Sequence, residues 1–151
     1  MNTINKYIPN TPIYSLTGQK FNLQKILSKK TILISSDNHC GFGYASLMDD
    51  FPIALDSLKG ELQDYEIICL VKRTEMDVED SLGFEAFTTG LQKIYKSIYI
   101  IDEADAYRMN LTGNPARFYI DKDQKVEHIA SGLSNVKYQI LEIKGYTGAK
   151  N

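Results

Sequence analysis

The residues best equipped for chemistry sit in one short polar turn, Asp37-Asn38-His39-Cys40-Gly41. Cys40 follows the β-branched, largely apolar run Thr31-Ile32-Leu33-Ile34-Ser35 and precedes a segment with helical spacing. At the start of a helix, unpaired amides and a partial positive charge stabilise a thiolate. His39 adds a positive charge when protonated, and Asp37 opposes thiolate formation. A lone accessible thiolate attacks disulfides or is oxidised. It cannot resolve its own mixed disulfide, so an external thiol has to finish the reaction. The residues alone leave a second reading open, in which Cys40 does no chemistry and the domain only binds.

The other candidates read as structural. Cys69 lies inside the apolar run Tyr65-Glu66-Ile67-Ile68-Cys69-Leu70-Val71 and is expected to be a small buried hydrophobe. A bond between Cys40 and Cys69 is not expected. One sits beyond a strand end and the other mid-strand, whereas a disulfide needs Cα atoms within about 7 Å. Two cysteines and two histidines make neither a disulfide framework nor a good zinc set, so no metal or other cofactor is expected. The acidic stretch Glu75 to Asp80 reads as a solvated loop or helix start rather than a metal site. His128 reads as surface or strand-edge filler, and Asp121 as the residue that ends a strand and shapes a turn.

These residues must be positioned by a regular framework. Strand runs are expected at 13–16, 31–35, 65–71 and 97–102, the second and third apolar enough to be covered on both faces. Residues 116–121 and 126–130 form a hairpin pattern around Lys122-Asp123-Gln124-Lys125. Helical spacing is read at 21–27, 42–58, 81–94 and 134–143, and Pro52 is expected to kink the second helix or start a new one. The order implies an α/β layer fold, wound parallel at first and antiparallel at its end. We expect one domain over 1–151, with its core at about 10–143 and a polar tail at 144–151.

Composition narrows the function. A formal charge of −2 from 17 basic and 19 acidic residues gives no electrostatic case for nucleic acid or an anionic membrane. No apolar run approaches the roughly 20 residues that span a bilayer. Met1 to Lys6 has no apolar leader core. The chain as written is therefore expected to be cytoplasmic, and periplasmic or otherwise extracytoplasmic if a leader has been removed.

Three segments resemble the thioredoxin-like superfamily, most closely its TlpA and AhpC/TSA (peroxiredoxin-type) branch. Pro12 to Leu23 is similar to that branch's opening of a short strand, a turn and a helix. His39-Cys40-Gly41-Phe42-Gly43 stands where the family has Trp-Cys-x-x-Cys. Gly113-Asn114-Pro115-Ala116-Arg117-Phe118-Tyr119-Ile120-Asp121-Lys122-Asp123 is similar to its Gly-x-Pro-x-x-Phe-x-Ile-Asp-x-Asp signature. The resemblance implies a thioredoxin-like fold, with a central mixed sheet of four to five strands and helices on both faces. It implies a cis Asn114-Pro115 bond facing Cys40, although from the residues alone trans would be expected, since cis is found in only about 5–6% of such bonds. It also implies that Asn114, Pro115, Gly41 and Arg117 shape a substrate groove, with Cys40 as nucleophile and His39 tuning it.

The departures from the family pattern are specific. Gly43 stands in the place of the resolving cysteine and His39 in that of the tryptophan. The peroxidatic pattern wants Thr or Ser at position 37 and Pro at 33, where this chain has Asp37 and Leu33. The resulting expectation is a single-cysteine thiol-disulfide oxidoreductase acting on protein or small-molecule disulfides. The alternatives are a non-catalytic thioredoxin-fold binding module and, less favoured, a thiol peroxidase.

Overall fold

The β-branched, apolar run after Lys30 forms strand β3 (Thr31–Asp37), buried along its length until its last residue. The computed structural model describes residues 4–39, 41–113, 115–132 and 135–148. In it β3 runs parallel to β4 (Glu66–Arg73) and antiparallel to β6 (Ala116–Ile120). β5 (Ser97–Asp102) extends the parallel side, and β7 (Val126–Ser131) extends the antiparallel side. A short hairpin, β1 (Pro12–Tyr14) and β2 (Lys20–Asn22), adds to β5, giving the order β2-β1-β5-β4-β3-β6-β7.

The sheet therefore has seven strands, not the four to five expected. The difference lies at the edges, where strands are short and half-exposed. β2 has three residues, and its Phe21 fits equally well as the first turn of a helix. That helix, α1 (Leu23–Ile26), starts only after Asn22, whose side chain accepts a hydrogen bond from the Gln24 N–H at 3.1 Å.

Alternation along the buried strands builds two cores. Ile32, Ile34, Cys69 and Val71 face α3 (Phe51–Ser57), α5 (Ser81–Gln92) and α7 (Val136–Thr147), meeting Leu47, Phe51, Phe84, Phe87, Leu91 and Ile143, and α2 (Gly41–Ala45) leads into this layer. Leu33, Ile68, Leu70 and Phe118 point to the other face, against α1 and α6 (Glu103–Arg108). α6 was not expected from the sequence. Two of its first three residues are acidic, which suits a helix start but leaves little apolar periodicity to read. α4 (Glu75–Glu79) realises the helix start read in the acidic stretch. α7 runs past the expected end at Ile143, through Thr147, and closes on Gly148 at φ 72°, a left-handed position that glycine takes without strain. Among the described residues no helix is long and apolar enough to cross a membrane.

Pro52 acts on the helix that opens after Cys40. Between α2 and α3 the chain makes a π-helical turn, Ser46–Asp50, and the Phe51 N–H donates to the Ser46 carbonyl five residues back. A proline cannot donate to the preceding turn and its ring crowds the carbonyl there, so the widened turn accommodates it. Tyr95 braces this turn from the end of the α5 segment. Its hydroxyl donates to the Leu47 carbonyl at 2.7 Å, and both groups are buried. Burial raises the Tyr95 hydroxyl pKa, so it remains a donor throughout the physiological range. Tyr95→Phe should strand the Leu47 carbonyl and destabilise the domain by about 1–3 kcal/mol. Urea unfolding followed by circular dichroism should show the midpoint fall with an unchanged slope.

Candidate functional site

β3 ends in a side-chain-capped turn. Asp37 Oδ1 accepts from the His39 N–H at 2.9 Å, which closes an Asx-type turn immediately before Cys40. The His39 ring then reaches the helix that follows the neighbouring strand. Its Nε2 lies 2.9 Å from Asp77 Oδ1, while the Asp77 side chain is only 1% exposed.

Asp77 is the third residue of α4 and belongs to a capping box. Its Oδ2 accepts from the Thr74 N–H at 2.8 Å and from the Thr74 hydroxyl at 3.1 Å. A carboxylate only accepts hydrogen bonds, so Asp77 assigns the hydrogen of the His39–Asp77 contact to Nε2. Nδ1 makes no hydrogen bond among the described residues. The pair is thus an oriented imidazole, one residue before the cysteine in the chain. The sequence reading named His39 but missed Asp77. Thr74-x-x-Asp77 just after a strand was the available signal. Nothing local shows that a residue 38 positions away closes the pair.

The Gly113–Pro115 turn comes to the same end of the sheet. Ala116 is in register with Ser35, so Pro115 lies just beyond it, level with the last residues of β3. Lys72, cross-strand from Asp37, is buried and donates to the Gly113 carbonyl at 3.1 Å. A Cβ on Gly113 would stand 2.5 Å from the Ser131 Cβ, so the tight approach of this turn to β7 requires glycine. Pro115 is buried, and its carbonyl accepts from the Gly132 N–H at 3.0 Å. Gly41 opens α2 with open space where a Cβ would be. The structure therefore brings His39, Gly41 and Pro115 to one end of the sheet. Cys40, Asn114 and hence the isomer of the Asn114-Pro115 bond lie outside the described residues.

Arg117 is placed differently from the groove residue that was expected. Its guanidinium is 2% exposed, with Nε and Nη2 donating to the two Glu142 oxygens at 2.8 and 3.0 Å and Nη1 to the Gly132 carbonyl at 3.3 Å. Tyr119 donates its hydroxyl to the same carboxylate. Burial works against both charges. Hydrogen bonding to each other nonetheless leaves the Arg117 pKa raised and that of Glu142 below the usual carboxylate range. Burial and the Glu142 charge push the Tyr119 hydroxyl up. This cluster ties β6 to α7 on the helix-covered face. His128, expected as filler, stacks on Tyr146 of α7 with ring centres 3.5 Å apart and planes 8° from parallel, and burial lowers its pKa.

Cys69 is a free thiol in the core, and burial pushes its pKa far up. Among the described residues, no group of three or more His, Cys, Asp or Glu side chains could hold a metal ion.

No family model matches this chain, and no curated protein matches it by sequence. Solved structures do match by shape. The thioredoxin domain of a thiol-disulfide oxidoreductase from Bacteroides vulgatus superposes with a TM-score of 0.68 at 9% identity, covering 97% of this chain and 99% of that one. A thiol:disulfide interchange protein from Bacteroides sp. gives 0.63 at 15% identity, covering 98% and 93%. ScoI from Arabidopsis thaliana, solved with copper bound, gives 0.66 at 10% identity, covering 91% and 96%. The fold is thioredoxin-like, the α/β architecture of thiol-disulfide oxidoreductases.

The buried pair yields a pH prediction. Because the Glu142 pKa is depressed on folding, its contribution is fully present above the ordinary glutamate value and is lost as pH falls through the folded value. Glu142→Gln leaves Arg117 buried without its counter-charge and should cost about 3–5 kcal/mol at pH 7. The variant's stability should then decline less steeply than the parent's between neutral pH and pH 3. Thermal melts across that range measure both effects.

Proposed function

We propose that this chain is a single-cysteine thiol-disulfide oxidoreductase with Cys40 as its nucleophile. One observation carries the reading. The imidazole one residue before the only candidate cysteine is locked by a buried carboxylate, at the C-terminal end of the central strand of a thioredoxin-like sheet. A binding scaffold has no need for an ordered His39–Asp77 pair beside a thiol at a helix start.

The roles follow from the chemistry of each group. Cys40, as thiolate, attacks one sulfur of a disulfide. A new S–S bond forms to Cys40, the old bond breaks, and the second sulfur leaves as a thiolate. His39, held through Nε2, presents Nδ1 for hydrogen bonding, and in its doubly protonated form it adds positive charge beside the thiol. The helical run that begins at Gly41 and continues to Ser57 adds its N-terminal dipole. The backbone at Asn114 and Pro115 is the edge we assign to a disulfide-bearing strand of the substrate. Arg117 supports that edge from behind by fixing β6 to α7. Gly43 carries no sulfur, so the mixed disulfide waits for an external thiol, which attacks it and releases Cys40.

Burial makes the test simple, because Cys69 is shielded and titrates far above neutrality. Alkylation of the native protein should proceed at Cys40 alone, with a midpoint clearly below the unperturbed value of about 8.5. Asp77→Asn should move that midpoint, and Cys40→Ser should abolish the reaction. Incubation with glutathione disulfide should give a one-to-one adduct, seen by intact mass and reversed by excess thiol. A midpoint near the unperturbed value with no adduct would sink this reading in favour of a thioredoxin-fold binding module.

A further inference from the structure

The arm that supplies Asp77 has a composition that the thiol chemistry does not explain. From Glu75 to Gln92, across α4 and α5, the chain carries Glu75, Asp77, Glu79, Asp80 and Glu85, and no lysine, arginine or histidine. The same arm exposes three large apolar side chains, Met76, Val78 and Leu82, at 55, 68 and 80%. Val78 and Asp77 line one cavity, so the apolar surface reaches the carboxylate that holds His39.

A cavity of about 550 Å³ opens beside this surface. Leu16, Val78, Phe84 and Ile100 give it apolar walls, and Asp77 and Glu85 contribute carboxylates. Arg73 also lines it, but its Nε and Nη2 already donate to Asp102 Oδ1 at 3.0 and 2.7 Å. Asp77 is likewise committed, to Thr74 and His39. Glu85 remains, exposed and without an ion pair among the described residues, as the charge available at the mouth. Apolar walls with a carboxylate at the opening match a side chain that has an aliphatic stem and a cationic head. Small anionic disulfides such as glutathione disulfide meet like charge here.

We propose that the partner of the Cys40 site is a polypeptide whose disulfide is flanked by basic and apolar residues. It lies across α4 and α5, covers Met76, Val78 and Leu82, and seats a lysine or arginine in the cavity against Glu85. This inference rests on the reading of Cys40 as a nucleophile. Docking delivers a sulfur of the partner to the thiolate. The Cys40–sulfur bond forms as the partner's S–S bond breaks, the displaced sulfur departs as a thiolate, and a small thiol later releases the product.

Two synthetic peptides of equal length test it with the full chain, each carrying one cysteine as a mixed disulfide with 5-thio-2-nitrobenzoate. One has Arg and Leu beside the cysteine, the other Glu and Ser. Chromophore release gives second-order rates, each divided by the rate of the same peptide with neutral 2-mercaptoethanol. The normalised rate should favour the basic peptide by about tenfold or more at low salt, the range that electrostatic steering gives, and the preference should shrink as salt rises. Glu85→Lys should collapse the preference. Glu61→Lys, the same charge change at another exposed position, should leave it intact. Leu82→Ser with Val78→Ser should reduce it. Equal normalised rates, or a Glu61→Lys effect as large as that of Glu85→Lys, would overturn the docking surface while leaving the thiol reading standing. If neither peptide reacts, the thiol reading fails. Fluorescence titration of Cys40→Ser protein with a labelled, cysteine-free form of the basic peptide then decides docking separately, with Glu85-dependent binding supporting it and no binding refuting it.

Discussion

A carboxylate with almost no access to water organises the end of the sheet where β3 and β4 finish. Asp77 sits where an uncompensated charge would cost several kcal/mol, so the surrounding backbone has to supply donors. Thr74 supplies two, its N–H and its hydroxyl, and His39 supplies the third. Each donor constrains a different element. Thr74 fixes where β4 ends and α4 begins. His39 fixes how the chain leaves β3, and the Asp37 turn allows the ring only a short reach. The register of β3 against β4, continuous from Thr31–Glu66 to Asp37–Lys72, brings the two strand exits side by side. Parallel pairing thus converts a sequence separation of 38 residues into a hydrogen bond.

A second charged anchor works on the antiparallel side by the same principle. Arg117 is too buried to tolerate isolation, and Glu142 answers it from α7 with two oxygens. Tyr119 adds a third hydrogen bond to the same carboxylate. This anchor fixes β6, and β6 carries the Gly113–Pro115 turn at its start. Lys72 reaches the same turn from the parallel side through the Gly113 carbonyl. Both halves of the sheet therefore converge on the end where Cys40 stands in the chain. Each does so through a buried charge, so a lost partner on either side would disturb the site as well as the core.

What the sequence made legible divides along physical lines. β3, β4 and β5 are apolar on both faces, and such runs declare themselves without context. The β6–β7 hairpin was equally plain, because four polar turn residues separate two alternating segments. β2 and α6 were not readable. Each is short and makes its contacts with partners distant in sequence, so tertiary pairing decides its state and local preference does not. His39 was legible because it stands beside a cysteine, whereas Asp77 looked like one carboxylate in an acidic stretch. Arg117 shows the opposite failure. Its place in a signature-like segment suggested a ligand-facing role, yet its register with Ile34 turns the guanidinium into the helix-covered layer, where only an acidic partner could accommodate it. A motif specifies a backbone path more reliably than it specifies which face a given side chain takes.

In the reaction proposed for Cys40, the missing second sulfur gives these features a common consequence. In a two-cysteine site the covalent intermediate is short-lived, because a thiol of the same chain attacks it. With Gly43 in that position the proposed mixed disulfide on Cys40 persists until a free thiol arrives from solution. A persistent covalent adduct must be held in a geometry that leaves its disulfide open to attack. The fold fixes the described residues on both sides of that proposed site. Lys72 and Arg117 fix the Pro115 side through the sheet, and Asp77 fixes the His39 side through α4. Selectivity then cannot come from the speed of resolution, which any small thiol provides. On that proposal it has to come from the surfaces a partner meets before its disulfide reaches the cysteine, and the arm that carries Asp77 is bonded to His39, one residue before Cys40 in the chain.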